Sequence, residues 1–186
     1  MRYKVLIKTF LGFPRLLWHF FRKNRFGVGV VVEGNVFMSN CSVGKYAYIG
    51  KDCVINYSKI GNYCSIAPGV QIGGMEHNYS DMSTCVHLNL KQHYGVQTII
   101  EEDVWIGAGA IIKQGIKIGR GAVIGANSFV TKDVQPYSIW FGTPARFYKM
   151  RFDASKITLL EDSHYWQKKP RFAKNILMSL KDEFCK

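Results

Sequence analysis

The chain has 186 residues, 47% of them hydrophobic, with 18 glycines, 5 prolines and a formal net charge of +12. That length suits one ordinary domain with extensions, and the apolar fraction excludes wholesale disorder. The charge is uneven: residues 1–27 hold Arg2, Lys4, Lys8, Arg15, Arg22, Lys23 and Arg25 and no acid, whereas residues 28–149 are close to neutral.

Residues 1–27 read as a basic, aromatic helical segment, one or two short helices broken near Gly12 and Pro14. Lys4, Lys8 and Arg15 interrupt its apolar stretch and no small-residue cleavage site follows Phe21, so a signal peptide is not expected. No run of 18 uncharged apolar residues is present, so no membrane span is expected either. Two readings stay open for residues 1–25: a cap over the end of the following unit, or an amphipathic helix lying on an anionic membrane. The expected location is the cytoplasm, at the inner face of a membrane in the second reading. No nucleic-acid partner is expected.

From residue 28 a six-residue period takes over. An aliphatic or aromatic residue opens each unit at Val31, Phe37, Val43, Ile49 and Ile55, then one residue early at Ile60, Ile66 and Ile72, then at Ile100, Ile106, Ile112, Ile118, Ile124 and Val130. A small or β-branched residue usually fills the fifth slot, as at Cys41, Ala47, Cys53, Cys64, Ala110 and Ala122. This period fits neither a long helix nor simple alternation. It suits short strands separated by turns, three to a triangular coil, stacked so that Ile and Val form a continuous core. The five cysteines form no CxxC pair, which fits a reducing compartment, and those at 41, 53 and 64 read as small core fillers.

The rhythm stops after Gly73 and resumes at Ile100. The interrupting loop, residues 74–98, carries Glu76, His77, Asn78, Tyr79, Asp81, His87 and His93. Loops that leave a regular solenoid are usually functional or tolerated insertions. The gaps of ten and six residues between the three histidines do not suit a fixed zinc geometry, so no metal is expected. Beyond the last repeat, residues 153–186 read as a helical extension. One helix is expected over 153–165 with Asp153 as N-cap and Ile157, Leu159, Leu160 and Tyr165 as apolar contacts, and a second over about 172–180.

The repeats over residues 28–152 resemble the hexapeptide-repeat acyltransferases, which implies an all-β solenoid, a left-handed parallel β-helix with an excursion loop, flanked by N- and C-terminal helices. The left-handed coil belongs to the resemblance; physics alone predicts a right-handed crossover. The lead-in IGNYCSIAPGVQIG at 60–73 and the loop EHNYSDMST at 76–84 are similar to the xenobiotic acyltransferase branch, which includes hexapeptide-type chloramphenicol and streptogramin acetyltransferases. His77 then falls on that branch's catalytic histidine, with Asn78, Tyr79 and Asp81 as acceptor-pocket residues. The chemistry suits it, because an imidazole can take the proton of a hydroxyl as it attacks a thioester. Backbone N–H groups would stabilise the oxyanion. Glu76, Asp81 or a backbone carbonyl remain alternatives for orienting the ring.

The same resemblance places acetyl-CoA along residues 101–152. Trp105, next to an opener, should point outward and wall the thioester arm. Ala108 and Ala126 match positions that contact the cofactor, Thr131 and Lys132 lie near its nucleotide, and FGTPARFYK matches a turn with Gly142, Thr143 and Pro144 and with Arg146 and Lys149 for the phosphates. The family works as a homotrimer, which implies His77 of one chain meeting Trp105 of the next. The tail has Tyr165-Trp166 where the xenobiotic branch commonly has two tryptophans, a departure that weakens an antibiotic assignment. The expectation is an acetyl-CoA-dependent O-acetyltransferase acting on a sugar of a surface polysaccharide or its precursor. The alternatives are a xenobiotic acetyltransferase, a non-catalytic β-helix module and a zinc carbonic anhydrase-like enzyme.

Overall fold

The computed structural model describes residues 6–7, 23–74, 76–77, 79–80, 82–85, 87–88 and 95–184. The repeats wind into the triangular parallel β-helix that the period demands, with strands on three faces. Face F1 is an 8-stranded sheet of β1 (Leu6–Ile7), β3 (Val31–Val32), β6 (Tyr48–Ile49), β9 (Ser65–Ile66), β12 (Trp105–Ile106), β15 (Val123–Ile124), β17 (Ser138–Gly142) and β18 (Ala145–Met150). Face F2 is a 5-stranded sheet of β4 (Phe37–Ser39), β7 (Val54–Asn56), β10 (Gln71–Gly74), β13 (Ile111–Lys113) and β16 (Phe129–Val130). Face F3 is a 5-stranded sheet of β2 (Arg25–Phe26), β5 (Ser42–Val43), β8 (Ser58–Ile60), β11 (Thr98–Ile100) and β14 (Lys117–Ile118). The chain visits F3, F1 and F2 in turn, and the stack closes with the antiparallel hairpin β17–β18.

The core is a set of aliphatic ladders one side chain wide. Ile49, Ile66, Ile106 and Ile124 stack in register behind F1, and Ile55, Ile72, Ile112 and Val130 behind F2. All of these are buried, and each Ile contributes roughly 1.5–3 kcal/mol by leaving water. The second buried slot lies two residues before each opener. Cys41, Cys53 and Cys64 occupy it as buried free thiols, and burial pushes the Cys64 thiol up to about 12.

Two sequence expectations are corrected at the first coil. The buried openers there are Val32 and Met38, not Val31 and Phe37, and Phe37 is 39% exposed. The cause is a five-residue step from Met38 to Val43, with Asn40 at its corner in the left-handed region (φ 54). The step from Ile55 to Ile60 repeats it with Tyr57 (φ 38) at the corner. With the register corrected, Val36 and Ser58 fill the small slot two residues before Met38 and Ile60. At the N-terminus, Leu6–Ile7 is a strand pairing with β3, not helix. The ladder edge of β3 offers unpaired N–H and C=O groups, and a passing segment satisfies them. The rest of the expected helical segment up to residue 22 lies outside the described residues.

The edge between F2 and F3 is where the chain turns most tightly. Its carbonyls are satisfied by slot side chains: Cys41 Sγ reaches Ser39 O at 3.1 Å, and Ser58 Oγ donates to Asn56 O at 2.6 Å. On the next coil Gly73 (φ 71) passes so close that an added Cβ would lie 2.2 Å from Asn56 O. Only glycine fits there. The ladder then ends at Gly74, the long loop leaves, and the chain returns at Thr98.

The C-terminal extension comprises α1 (Ala154–Ser163), a 3₁₀ turn (Tyr165–Gln167) and α2 (Pro170–Phe184). Asp153 caps α1 as expected, accepting from Lys156 N at 2.9 Å. Leu160 and Tyr165 are buried, but Leu159 is exposed, contrary to its expected apolar contact. The extension covers the edge between F3 and F1. Asn62 Nδ2 donates to Trp166 O at 3.0 Å, Tyr63 Oη to Lys168 O at 2.6 Å, and Tyr165 Oη to Asp103 Oδ2 at 2.6 Å. Arg120 lies 4.0 Å over the Trp166 ring and pairs with Glu102 and Glu161.

Candidate active site

The three edges of the prism are unlike one another. The F3–F1 edge lies under the C-terminal helices, and the F2–F3 edge sends out the histidine loop. Toward its C-terminal coils the F1–F2 edge is built from small residues, with Ala108 and Ala126 exposed.

His77 stands at the start of the loop, three residues beyond β10, and is exposed. Its Nδ1 lies 2.6 Å from the carbonyl oxygen of Thr84. A carbonyl only accepts, so Nδ1 carries a proton, and in the neutral ring Nε2 is the acceptor. Of the alternatives for orienting the ring, a backbone carbonyl is the contact found. Glu76 is committed elsewhere, to Lys113 Nζ at 3.3 Å. Tyr79 is exposed, while Asn78, Asp81 and His93 lie outside the described residues. Among the described residues no group of three His, Cys, Asp or Glu side chains is arranged to hold a metal ion.

Trp105 points outward from β12 and is 54% exposed, flanked on F1 by Ser65 and Val123 of the adjacent coils. Just beyond it the F1–F2 turns stack. Asn127 N donates to Ala108 O at 2.8 Å, and Thr143 Oγ1 donates to Asn127 O at 3.2 Å. Gly142 N donates to Ser128 Oγ at 3.2 Å. These bonds bring Ala108, Ala126 and the turn Gly142, Thr143, cis-Pro144 onto one edge. Ala108 and Ala126 are both exposed, so an extended ligand can lie against their backbone without meeting a bulky side chain. Arg146 and Lys149 extend the same end on β18, both exposed; Arg146 donates to Ala145 O at 3.1 Å and Lys149 Nζ sits 5.5 Å from the Tyr148 ring. Neither ammonium nor guanidinium forms an ion pair among the described residues, which leaves them able to meet phosphate.

The sequence-predicted residues therefore fall into two groups that one chain does not bring together. Ala108, Ala126 and Gly142–Pro144 lie on the F1–F2 edge, with Trp105 on F1 beside it. His77 lies on the F2–F3 edge, and so do Thr131 and Lys132, which follow β16 farther along the stack. Sequence reasoning missed Thr84, whose contribution is a backbone carbonyl and so leaves no trace in residue type. It also missed Lys113, which the ladder register exposes: Lys113 pairs with Gly74, at the foot of the loop.

Comparisons with known proteins agree with this geometry. The family described as hexapeptide repeat of succinyl-transferase matches residues 97–132. A chloramphenicol acetyltransferase of Agrobacterium fabrum is 34% identical over 168 residues, covering 74% of this chain and 80% of that protein. A maltose O-acetyltransferase of Clostridium difficile superposes with a TM-score of 0.62 at 32% identity, covering 78% of this chain and 80% of that one. A hexapeptide-repeat acetyltransferase of Vibrio cholerae, solved with acetyl coenzyme A, gives a TM-score of 0.65 at 27% identity over 75% of this chain and 76% of that one. With its stacked six-residue coils, its histidine loop and its small-residue edge, the chain belongs to the acetyl-CoA-dependent hexapeptide-repeat acetyltransferases.

Proposed function

We propose that the protein transfers acetyl from acetyl-CoA to a sugar hydroxyl, with His77 as general base, in a homotrimer whose sites lie between chains. The observation that carries the base is the Nδ1 contact with Thr84 O, which leaves Nε2 as the acceptor for the hydroxyl proton. As the substrate oxygen bonds to the thioester carbonyl carbon, its proton passes to Nε2 and coenzyme A departs. The F1–F2 edge holds the donor: Trp105 walls the thioester arm, Ala108, Ala126, Gly142, Thr143 and Pro144 leave room for it, and Arg146 and Lys149 meet its phosphates.

The separation of the two groups supports the trimer. A ring in which each F2–F3 edge meets the F1–F2 edge of the next chain joins His77 to Trp105. It also carries Thr131 and Lys132 to the neighbour's donor edge. F2, the face between the two edges, then points inward, and its outward row includes the half-exposed Phe37, Val54 and Ile111. The basic, aromatic residues between β1 and β2 hold the enzyme at the cytoplasmic face of a membrane, beside lipid-linked sugar. The sugar reading is supported by the likeness to the maltose O-acetyltransferase. The likeness to the chloramphenicol acetyltransferase favours the second reading, a xenobiotic acceptor.

Thiol release from acetyl-CoA, measured with a panel of sugars and with chloramphenicol, tests both. His77→Gln should lower kcat roughly 10²–10⁴-fold while coenzyme A binding persists. Undiminished release would overturn the base. Turnover with chloramphenicol and none with sugars would replace the acceptor.

A further inference from the structure

We infer that a depression at the margin of F2, beside the foot of the histidine loop, is the acceptor subsite, and that it takes a hydroxylated saturated ring rather than an aromatic one. This rests on the acetyl-transfer reading above. The depression has a volume of about 160 Å³, and Glu76, the residue before His77, lines it. Its floor includes Ile111 and Phe129, which project outward from F2; Ile111 is 40% exposed. Asn56 and Gln71 add two side-chain carboxamides, and the Glu76–Lys113 ion pair forms the rim.

The chemistry of this wall is mixed in a specific way. Two apolar side chains suit the C–H face of a sugar ring. Around them stand two carboxamides, a carboxylate and an ammonium, offering both donors and acceptors at the ring's periphery. The carboxamides have no hydrogen-bond partner among the described residues, so each is available to a ligand. An aromatic ring seated here strips water from Asn56 and Gln71 and offers no hydroxyl at its periphery in return, whereas the hydroxyls of a sugar ring replace each lost bond. The volume is below the roughly 300–1,000 Å³ of a drug-sized pocket, as expected of one wall whose other side is the neighbouring chain. A ring on this floor lies beside Glu76, the residue before His77, and in the proposed trimer the donor arrives from the next chain's edge.

The test uses the full-length chain with methyl glucoside, methyl galactoside and maltose as probes and chloramphenicol as the contrasting acceptor. Gln71→Leu and Asn56→Ala alter outward-facing positions, and an unchanged melting temperature confirms that each folds. Each should raise the KM for the best sugar roughly tenfold and leave the KM for acetyl-CoA unchanged. Gln71→Leu should narrow the preference for sugar over chloramphenicol. Saturation-transfer NMR should show the sugar ring protons, and not those of chloramphenicol, in contact with the wild-type protein, with the effect lost in Gln71→Leu. Sugar turnover by wild type with unchanged acceptor KM in both variants would overturn the subsite and leave the proposed function standing. Wild-type turnover of chloramphenicol but of no sugar would overturn the hydroxylated-ring specificity together with the proposed acceptor.

Discussion

The separation of His77 from the donor edge yields a quantitative prediction about mixed oligomers. Consider two variants, each inactive alone: His77→Ala, which lacks the base, and Ala126→Arg, which fills the F1–F2 edge with a long side chain at an exposed turn. In a random one-to-one mixture, a site is competent only when its base comes from an Ala126→Arg chain and its donor edge from a His77→Ala chain. Each condition is met half the time, so about one quarter of the sites recover in any ring of this kind. The assay is acetyl-CoA thiol release after the two chains are co-expressed with different tags and the mixed species purified. Purified homo-oligomers of each variant, mixed without exchange, give the baseline. If each site were built within one chain, every site would lack one component and the mixture would stay at that baseline. Recovery indistinguishable from zero in a verified mixed trimer would refute the shared site and with it the inward placement of F2.

Three further outcomes test how the scaffold holds the site. Gly73→Ala places a Cβ against Asn56 O in a left-handed conformation that costs about 1–2 kcal/mol for an L-residue before any clash; melting temperature should fall and acetyl transfer should drop while coenzyme A binding survives, and unimpaired transfer would show that the loop foot need not be held there. Tyr165→Phe removes the donor to Asp103, whose carboxyl burial already pushes above its ordinary range. Leaving that acceptor short costs about 1–3 kcal/mol, or a fall of roughly 3–10 °C for a chain of this size, read by thermal denaturation; no fall would mean the helices are held by other contacts. Burial opposes ionisation of Glu101, yet Lys117 Nζ at 2.8 Å and the backbone N–H of Arg120 at 2.8 Å hold its carboxyl below the usual value. A depressed carboxylate stabilises above its unfolded pKa and loses that contribution as pH falls through the folded one. The melting-temperature gap between wild type and Glu101→Gln should therefore be present at neutral pH and close under acid; a gap that widens under acid would reverse the assignment.

The solenoid was legible because a six-residue period is strong and redundant, and fourteen openers share one rule. Where legibility failed, it failed at corners. Counting sixes back from Val43 selects Phe37, because residue type does not mark corner length: Asn40 has positive φ in this five-residue corner, and Gly115 has it in the six-residue corner between Ile112 and Ile118. Single-residue conformations of that kind leave weak marks on sequence, and Asn at a turn is common in any register. The helices of the extension were legible from Asp153 and the apolar spacing, but not the edge they cover. That depends on contacts such as Asn62 with Trp166 and Asp103 with Tyr165, between residues far apart in the chain. At the site, His77 and Trp105 were readable as residue types. The partner of the imidazole was not, because any residue at position 84 supplies a carbonyl.

The three edges also explain why the interruption falls where it does. An insertion on the F3–F1 edge would displace Trp166 and the helices locked by Arg120, Tyr63 and Asn62. On the F1–F2 edge it would separate Ala108 from Ala126, whose turns touch directly: a Cβ on Gly107 would lie 2.5 Å from Ala126 N. Among the described residues only the F2–F3 edge has neither a cover nor a need for continuity, and its corners already differ in length, five residues from Met38 to Val43 and from Ile55 to Ile60 but six from Ile112 to Ile118. A loop there can change length without disturbing the ladders on either side, since Gly74 and Thr98 remain paired to Lys113 and Ser58. Under the proposed function, donor binding depends on coils where an insertion would disrupt the edge, whereas acceptor choice falls to the loop and to the margin of F2 beneath it. Relatives sharing this scaffold can diverge in acceptor through that one edge, consistent with chloramphenicol and maltose acetyltransferases both lying above 30% identity to this chain.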